Sequence, residues 1–145
     1  MIIKDLYDKI LIEPQKNSES NKLYIVSGYA TATFARRHLN DLHTSTEMNL
    51  IIGMNSSRND QLAFIQLMDD YPGRFYAYYL SGGAPVHSKV YSWYKNSEPI
   101  LGYSGSANYS QFGFIGDTNQ INQMNLDDPV AVSYTHLTLP TILRV

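Results

Sequence analysis

The spacing of apolar residues along the chain predicts an alternation of helices and strands. Four apolar residues near the start recur at helical spacing: Ile3, Leu6, Ile10 and Leu11. Pro14 should end this first helix, and the polar residues 15–22 indicate a loop. The apolar runs at residues 23–26 and 50–52 are short and continuous, and serine or glycine closes each of them, as is typical of buried strands.

Further helices and strands follow from the same kind of pattern. Residues 31–42 place four side chains on one helical face: Phe34, His38, Leu39 and Leu42. A later helix should contain Leu62, Ile65, Leu67 and Met68. The aromatic run at residues 75–80 predicts a strand, and residues 86–95 and 100–104 predict a hairpin. This order of elements predicts an α/β fold with a partly parallel sheet.

Composition narrows the function classes. The 145 residues suffice for one domain with a single core, and the absence of cysteine excludes disulfide scaffolds, thiolate metal sites and cysteine nucleophiles. A formal net charge of -2 excludes a polycation, so any nucleic-acid contact needs local basic residues. No apolar run approaches the roughly 18 residues of a membrane span, and no secretory signal is visible at the start, so we expect a cytoplasmic protein without a membrane partner.

Two short segments carry the candidate chemistry: His87-Ser88-Lys89 and Gly105-Ser106-Ala107-Asn108. Alternate residues of a strand share a face, so His87 and Lys89 should point the same way. If the second strand continues through Gly105, the same rule groups Ser106 with Asn108. Paired in a hairpin, the segments would gather an imidazole, an ammonium, a hydroxyl and a carboxamide, with Gly105 allowing close approach of backbone. This set suits a phosphate ester, because lysine supplies charge, hydroxyl and amide supply neutral donors, and imidazole can attack phosphorus or protonate a leaving oxygen.

Each motif also has a structural interpretation. A lone histidine on an apolar strand can be a hydrogen-bonded structural residue, and glycine, serine and asparagine are common in turns. The agreement of two segments within one hairpin favours the chemical interpretation. Two other histidines, His38 and His43, stand five residues apart, which is not the spacing of neighbours on a helix, and are expected to be packing or surface residues.

The pattern His-x-Lys followed by Gly-Ser-x-Asn resembles the catalytic signature of the phospholipase-D superfamily. The wider runs at residues 85–93 and 105–110, together with 27–30 and 53–54, resemble the N-terminal nuclease domain of NgoFVII-type type II restriction endonucleases. The resemblance covers most of residues 1–131. It implies a phospholipase-D-like mixed β-sheet flanked by helices.

The resemblance also implies a role for each motif residue. His87 corresponds to the nucleophilic or acid histidine. Lys89 corresponds to the phosphate-binding lysine of the catalytic set. Ser106 and Asn108 correspond to the pair that contacts the phosphate, and Asn108 is counted with the catalytic residues.

Three departures from the family pattern accompany these matches. Tyr94 stands five residues after the lysine, where many members have aspartate. The interval from Lys89 to Gly105 is a few residues longer than usual. Residues 119–123 occupy the place of a family segment that carries glutamate, but contain none. The first two departures fit the nuclease branch better than a lipid phospholipase, and the third leaves the residue that orients His87 unassigned.

Together these features imply a metal-independent phosphodiesterase acting on double-stranded DNA, the catalytic part of a type II restriction endonuclease. No lysine has an acidic residue two positions before it, which is the arrangement with which many restriction nucleases hold a divalent cation, so we expect no metal or other cofactor. A complete superfamily site takes two His-x-Lys motifs and this chain has one, which implies a homodimer with a shared active site and a phosphohistidine intermediate.

Two alternatives stay open at this point. One is another nuclease or phosphodiesterase of the same superfamily, and the other is an inactive DNA- or protein-binding module with the same fold. The recognition sequence and the cleavage position cannot be read from the chain, and base recognition would lie in a further C-terminal region.

The last fourteen residues have a separate resemblance. Residues 132–141 resemble one reading frame of the transposon-end adapter used in sequencing libraries. This implies a nuclease domain at residues 1–131 that lacks its true C-terminus, followed by an adapter-derived tail at 132–145. We therefore expect packing to end near Ala131 and the tail to be exposed or loosely attached. The missing region leaves open whether the fragment dimerises or is active, and the alternative is a genuine β-prone terminal strand.

Overall fold

The computed structural model describes residues 1–54, 57–80, 89–115, 122–137 and 142–144, with residues 134–137 and 142–144 described at the level of the backbone. Its strands are β1 (Lys22–Ser27), β2 (Glu47–Ile52), β3 (Phe75–Leu80), β4 (Val90–Lys95), β5 (Glu98–Gly105), β6 (Met124–Asp127) and β7 (Ile142–Arg144). Its helices are a π-helical segment (Tyr7–Ile12), α1 (Glu13–Asn17), α2 (Ala32–Asp41), α3 (Arg58–Asp70), α4 (Gln111–Phe114) and α5 (Pro129–Leu137).

The strands form one mixed sheet in the order β6-β5-β4-β1-β2-β3-β7. Strands β1, β2 and β3 are parallel, because α2 and α3 return the chain between them. The hairpin of β4 and β5 lies antiparallel on the other side of β1, and β6 extends it. At the opposite edge β7 pairs antiparallel with β3. This mixed sheet with its helices confirms the expected α/β fold class.

The N-terminal helix differs from the sequence-based expectation. Pro14 does not end it, because the π-helical segment continues into α1 and Pro14 lies in the first turn of that helix. Proline has no N–H, and the first turn of a helix has no intrahelical acceptor for one, so Pro14 is compatible with a helix start. The predicted loop accordingly begins after Asn17 instead of at Gln15.

One face of the sheet, called the core face below, carries the main hydrophobic core. Ile25 of β1 and Trp93 of β4 point to this face, and Phe34 of α2 and Phe64 of α3 pack with them. Trp93 is fully buried, and its indole N–H donates to the carbonyl oxygen of Ile10 at 2.8 Å. This bond ties the N-terminal helical segment to the sheet.

The opposite side, called the second face below, corrects the expectation for the tail. Helix α5 lies over β4 and β5, and Val132 is buried against Val26, Ile51 and Val90. The expectation that packing ends near Ala131 is therefore wrong. The physical reason is that these strand residues form an apolar patch, and an apolar helix that covers it removes it from water. The adapter origin of this segment stays a prediction.

Among the described residues, none of the helices combines the length and the apolar character needed to span a bilayer.

Candidate active site

Lys89 lies in a row of residues at the end of the sheet where β1 finishes. The pairing of β1 with β4 ends with Val26 opposite Val90, so one further step places Ser27 opposite Lys89. On the other side of β4, the Gly105 N–H donates to the Lys89 carbonyl oxygen at 3.2 Å. Lys89 therefore sits between the last residue of β1 and the last residue of β5.

The structure brings three of the four predicted site residues to this end of the sheet. Ser106 and Asn108 follow β5 directly, next to the row that contains Lys89. Lys89 and Asn108 are half-buried and Ser106 is exposed. His87 lies outside the described residues, two positions before Lys89 in sequence. The catalytic and phosphate-binding roles of all four residues stay predictions.

Ser106 is held by the segment that precedes β6. Its hydroxyl accepts a hydrogen bond from the Gln123 N–H at 2.9 Å and lies 3.3 Å from Oδ1 of Asn122, to which it can donate. Its own N–H donates to the Gln123 carbonyl oxygen at 2.9 Å. These contacts were not foreseen, although residues 119–123 were noted as the place of a family segment. Asn122 and Gln123, which belong to that segment, fix the position of Ser106.

Gly105 has a different reason for being glycine than the one expected. A Cβ at Gly105 would meet the backbone carbonyl of Gln123 and lie 2.8 Å from the Cα of Met124. The close approach at this position is therefore made by the chain's own backbone. Met124 in turn forms a bridge to Ile2, with the Ile2 N–H donating at 2.7 Å and the Met124 N–H donating back at 3.0 Å.

Asn108 is oriented by the end of β1. Its Oδ1 lies 3.3 Å from the Ser27 hydroxyl oxygen and 3.4 Å from the Tyr29 backbone nitrogen, and both of these groups can donate to it. Its backbone oxygen accepts from the Ser110 N–H at 2.8 Å. Ser110 caps the short helix α4, with its hydroxyl accepting from the Gly113 N–H at 3.2 Å. Strand β1 and helix α4 thus hold the asparagine from two sides.

Beneath the loop of Ser106 and Asn108, buried tyrosines hold the backbone in place. The Tyr91 hydroxyl donates to the Ala107 carbonyl oxygen at 2.6 Å, and the Tyr109 hydroxyl lies 2.7 Å from Nδ1 of His38. Burial raises the pKa of Tyr91 and of Tyr109 well above the usual value, so both phenols keep their protons.

His38 is a structural histidine, as the spacing analysis expected. Its Nε2 lies 2.7 Å from the Leu11 carbonyl oxygen, which can only accept, so Nε2 carries the proton and Nδ1 accepts from Tyr109. Burial lowers the pKa of the His38 imidazole to about 4, which keeps the ring neutral. His43 is exposed, near the start of β2.

Comparisons with known proteins agree with this architecture. Among solved structures, the chain is similar to a polyphosphate kinase from Porphyromonas gingivalis, with a TM-score of 0.60 and 13% sequence identity over 93% of this chain and 20% of the kinase. The chain thus spans about a fifth of that protein, and at this identity the likeness shows the fold alone. No curated protein matches the sequence. The family model described as "NgoFVII restriction endonuclease N-terminal PLD domain" matches residues 4–141, and the chain belongs to this family.

Proposed function

We propose that this chain is the catalytic part of a type II restriction endonuclease that hydrolyses phosphodiester bonds of double-stranded DNA without a metal ion. The family supports a nuclease assignment. The proposal is carried by one observation: Lys89, Ser106 and Asn108 all lie at the end of the sheet where β1 and β5 finish. A basic group and two neutral donors at one place suit the non-bridging oxygens of a phosphodiester.

In this proposal each residue has one task. The Lys89 ammonium offsets the negative charge that grows on the phosphate in the transition state. The Asn108 amide and the Ser106 hydroxyl donate to the phosphate oxygens and fix the phosphorus in place. His87 supplies the nucleophile, because a neutral imidazole can attack phosphorus near neutral pH.

The reaction proceeds in two steps that use two histidines. His87 attacks phosphorus, a P–N bond forms, and the P–O bond to the leaving strand breaks as the partner subunit's His87 protonates that oxygen. Water then attacks the phosphorus of the phosphohistidine and gives a proton to the partner subunit's His87. A P–O bond forms and the P–N bond breaks, which frees His87. The site is therefore shared in a C2 homodimer. One imidazole must be neutral while the other is protonated, so the rate should be bell-shaped in pH.

The test is DNA cleavage in excess EDTA with matched histidine variants. We expect the full chain to nick or cut supercoiled plasmid in EDTA, and His87→Ala to lower the rate by at least about 10³-fold because the covalent route is lost. His43→Ala is the control, since His43 is exposed near the start of β2, and it should cleave like the wild type. Lys89→Ala should weaken both binding and turnover.

The intermediate can be trapped directly. Quenching a reaction in denaturant at alkaline pH should leave a DNA strand attached to His87, which peptide mass spectrometry can locate. Complete dependence on magnesium, or normal turnover with no attachment to His87, would overturn the mechanism. A chain that binds DNA and never cleaves it would favour the inactive binding module.

A further inference from the structure

Ser27 is a buried polar residue whose hydroxyl meets the predicted phosphate-binding loop. It ends the apolar strand β1, and its side chain has no exposed surface. The sequence around it, residues 27–30, belongs to the runs that resemble the family, yet the proposed function gives Ser27 no task. A buried hydroxyl is costly unless it is hydrogen-bonded, so its partners indicate what it does.

The partners of Ser27 all belong to residues beside the site. Its Oγ accepts from the Tyr109 N–H at 3.0 Å. The single hydroxyl hydrogen can be donated to the Tyr29 carbonyl oxygen at 2.5 Å or to the Asn108 Oδ1 at 3.3 Å, and the Tyr91 phenol also lies within hydrogen-bonding reach of Ser27. Ser27 therefore connects the end of β1 with both residues 108 and 109 of the loop that follows β5.

The chemistry of these partners determines which way the Asn108 carboxamide faces. The Tyr29 backbone N–H can only donate, so the atom of Asn108 that lies 3.4 Å from it must be the carboxamide oxygen. The Ser27 hydroxyl faces the same oxygen. The amide NH₂ consequently points away from Ser27 and Tyr29, and it is the donor that a phosphate oxygen needs.

We propose that Ser27 is a positioning residue that holds the Asn108 carboxamide with its NH₂ group directed at the phosphate. This inference rests on the proposed function, in which Asn108 donates to a phosphate oxygen. Ser27 does not touch the substrate and acts through Asn108. Because Ser27 also stands opposite Lys89 in the strand register, one buried residue sets the spacing between the charged donor and the neutral one.

The test is a double-mutant cycle with a matched serine control. The variants are Ser27→Ala, Asn108→Ala and the two combined, in the full chain. Ser92→Ala is the control, because Ser92 is an equally buried serine on the neighbouring strand β4 and its hydroxyl has no hydrogen-bond partner among the residues that the structure describes. The first readout is kcat/KM for plasmid cleavage.

The second readout does not need catalysis. It is a titration with inorganic phosphate followed by the NMR signals of the Asn108 side-chain amide, which are assigned by their loss in Asn108→Ala. In the wild type these signals should shift as phosphate binds. In Ser27→Ala the apparent Kd for phosphate should rise about tenfold, because the amide is no longer held in one orientation. Ser92→Ala should titrate like the wild type.

The cycle separates positioning from a merely structural role. Ser27→Ala should lower kcat/KM by about 10- to 100-fold in the wild type and by no more than about twofold in the Asn108→Ala background. Equal losses in both backgrounds, or an unchanged Asn108 response to phosphate in Ser27→Ala, would overturn the inference. If nothing is cleaved but the titrations differ as expected, the proposed reaction fails and the positioning role stands. If phosphate does not shift the Asn108 signals of the wild type, both the proposed phosphate site and the positioning role of Ser27 fail.

Discussion

The two faces of the sheet are covered by different parts of the chain. The core face is covered by the π-helical segment, α2 and α3, all of which precede β3 in sequence. Within the described residues, the second face is covered by α5, which closes a small cluster with Val132 at its centre. A broad aromatic core thus lies on one side of the sheet and a narrow aliphatic contact on the other.

The candidate site depends on the core face. Tyr91, which holds the Ala107 carbonyl, and Tyr109, which bonds to His38, are both fully buried in that core. The second face shields the strands from water but contributes none of the contacts described for Lys89, Ser106 and Asn108. Damage to the two faces should therefore have different consequences. Loss on the core face should unfold the domain and disturb the site, whereas loss on the second face should lower stability modestly.

The largest expected effect is on the core face. Trp93→Ala should lower the free energy of unfolding by about 3–5 kcal/mol, because it removes a fully buried indole and its bond to the Ile10 carbonyl. Urea denaturation measures the change. Trp93→Phe, which keeps most of the apolar volume, should recover part of the loss. A loss of less than about 1 kcal/mol in Trp93→Ala would contradict the prediction that the core face supplies most of the stability.

The next effect is the pH dependence that His38 gives to the core face. Its folded-state pKa of about 4 lies below the usual 6.5, so the unfolded chain takes up a proton first as the pH falls. The contribution of the neutral His38 to the free energy of unfolding is fully present above pH 6.5. It is lost progressively as the pH falls toward 4, by about 3 kcal/mol. Denaturation curves across this range should show the loss. It should persist in His43→Gln and disappear in His38→Gln; its survival in His38→Gln would assign it to other groups.

A smaller effect is expected on the second face. Val132→Ala should cost about 1–2 kcal/mol, because it withdraws two methyl groups from the contact with Val26, Ile51 and Val90. Val130→Ala on the same helix is the control, since Val130 is 53% exposed and its loss should stay within about 0.5 kcal/mol. Equal effects of the two substitutions would show that α5 does not pack on the sheet in solution.

The smallest effect has the opposite sign. Ser92→Ala should raise the free energy of unfolding by up to about 1 kcal/mol, because it removes a buried hydroxyl for which the described part of the chain offers no hydrogen-bond partner. Thermal denaturation should be measured for Ser92→Ala and for Ser27→Ala side by side. The Ser27 hydroxyl has hydrogen-bond partners, so its removal should destabilise the protein. Destabilisation by Ser92→Ala would mean that this hydroxyl has a partner in solution.

Local pattern predicted those strands whose residues are apolar or aromatic throughout. Strand β3 has the bounds expected for residues 75–80. Strand β2 begins at Glu47, three residues before the apolar run, because Glu47 pairs with Lys22 of β1. The Lys22 Nζ lies 3.5 Å from the Glu47 Oε2. Strand β6 was not predicted, since it has only four residues, two of them polar, and its place depends on pairing with β5. Such a distant pairing leaves no local signal.

The same distinction applies to the site. Lys89, Ser106 and Asn108 could be named in advance because their residue types and spacing carry chemistry. The contacts of Asn122 with Ser106 and of Ser27 with Asn108 could not, because each joins residues that only the fold brings together. The packing of Val132 was missed for a related reason: an apolar patch on a sheet attracts an apolar segment whatever its origin.

The bridge between Ile2 and Met124 also bears on the order of events during protein synthesis. All of β1 to β5 lies between these two residues, so a nascent chain can form much of the sheet before the bridge exists. Gln123, the residue just before Met124, is the one that holds Ser106. The loop therefore reaches its final form only after this segment has left the ribosome. A chain translated only as far as β5 carries five strands of the sheet without an assembled site.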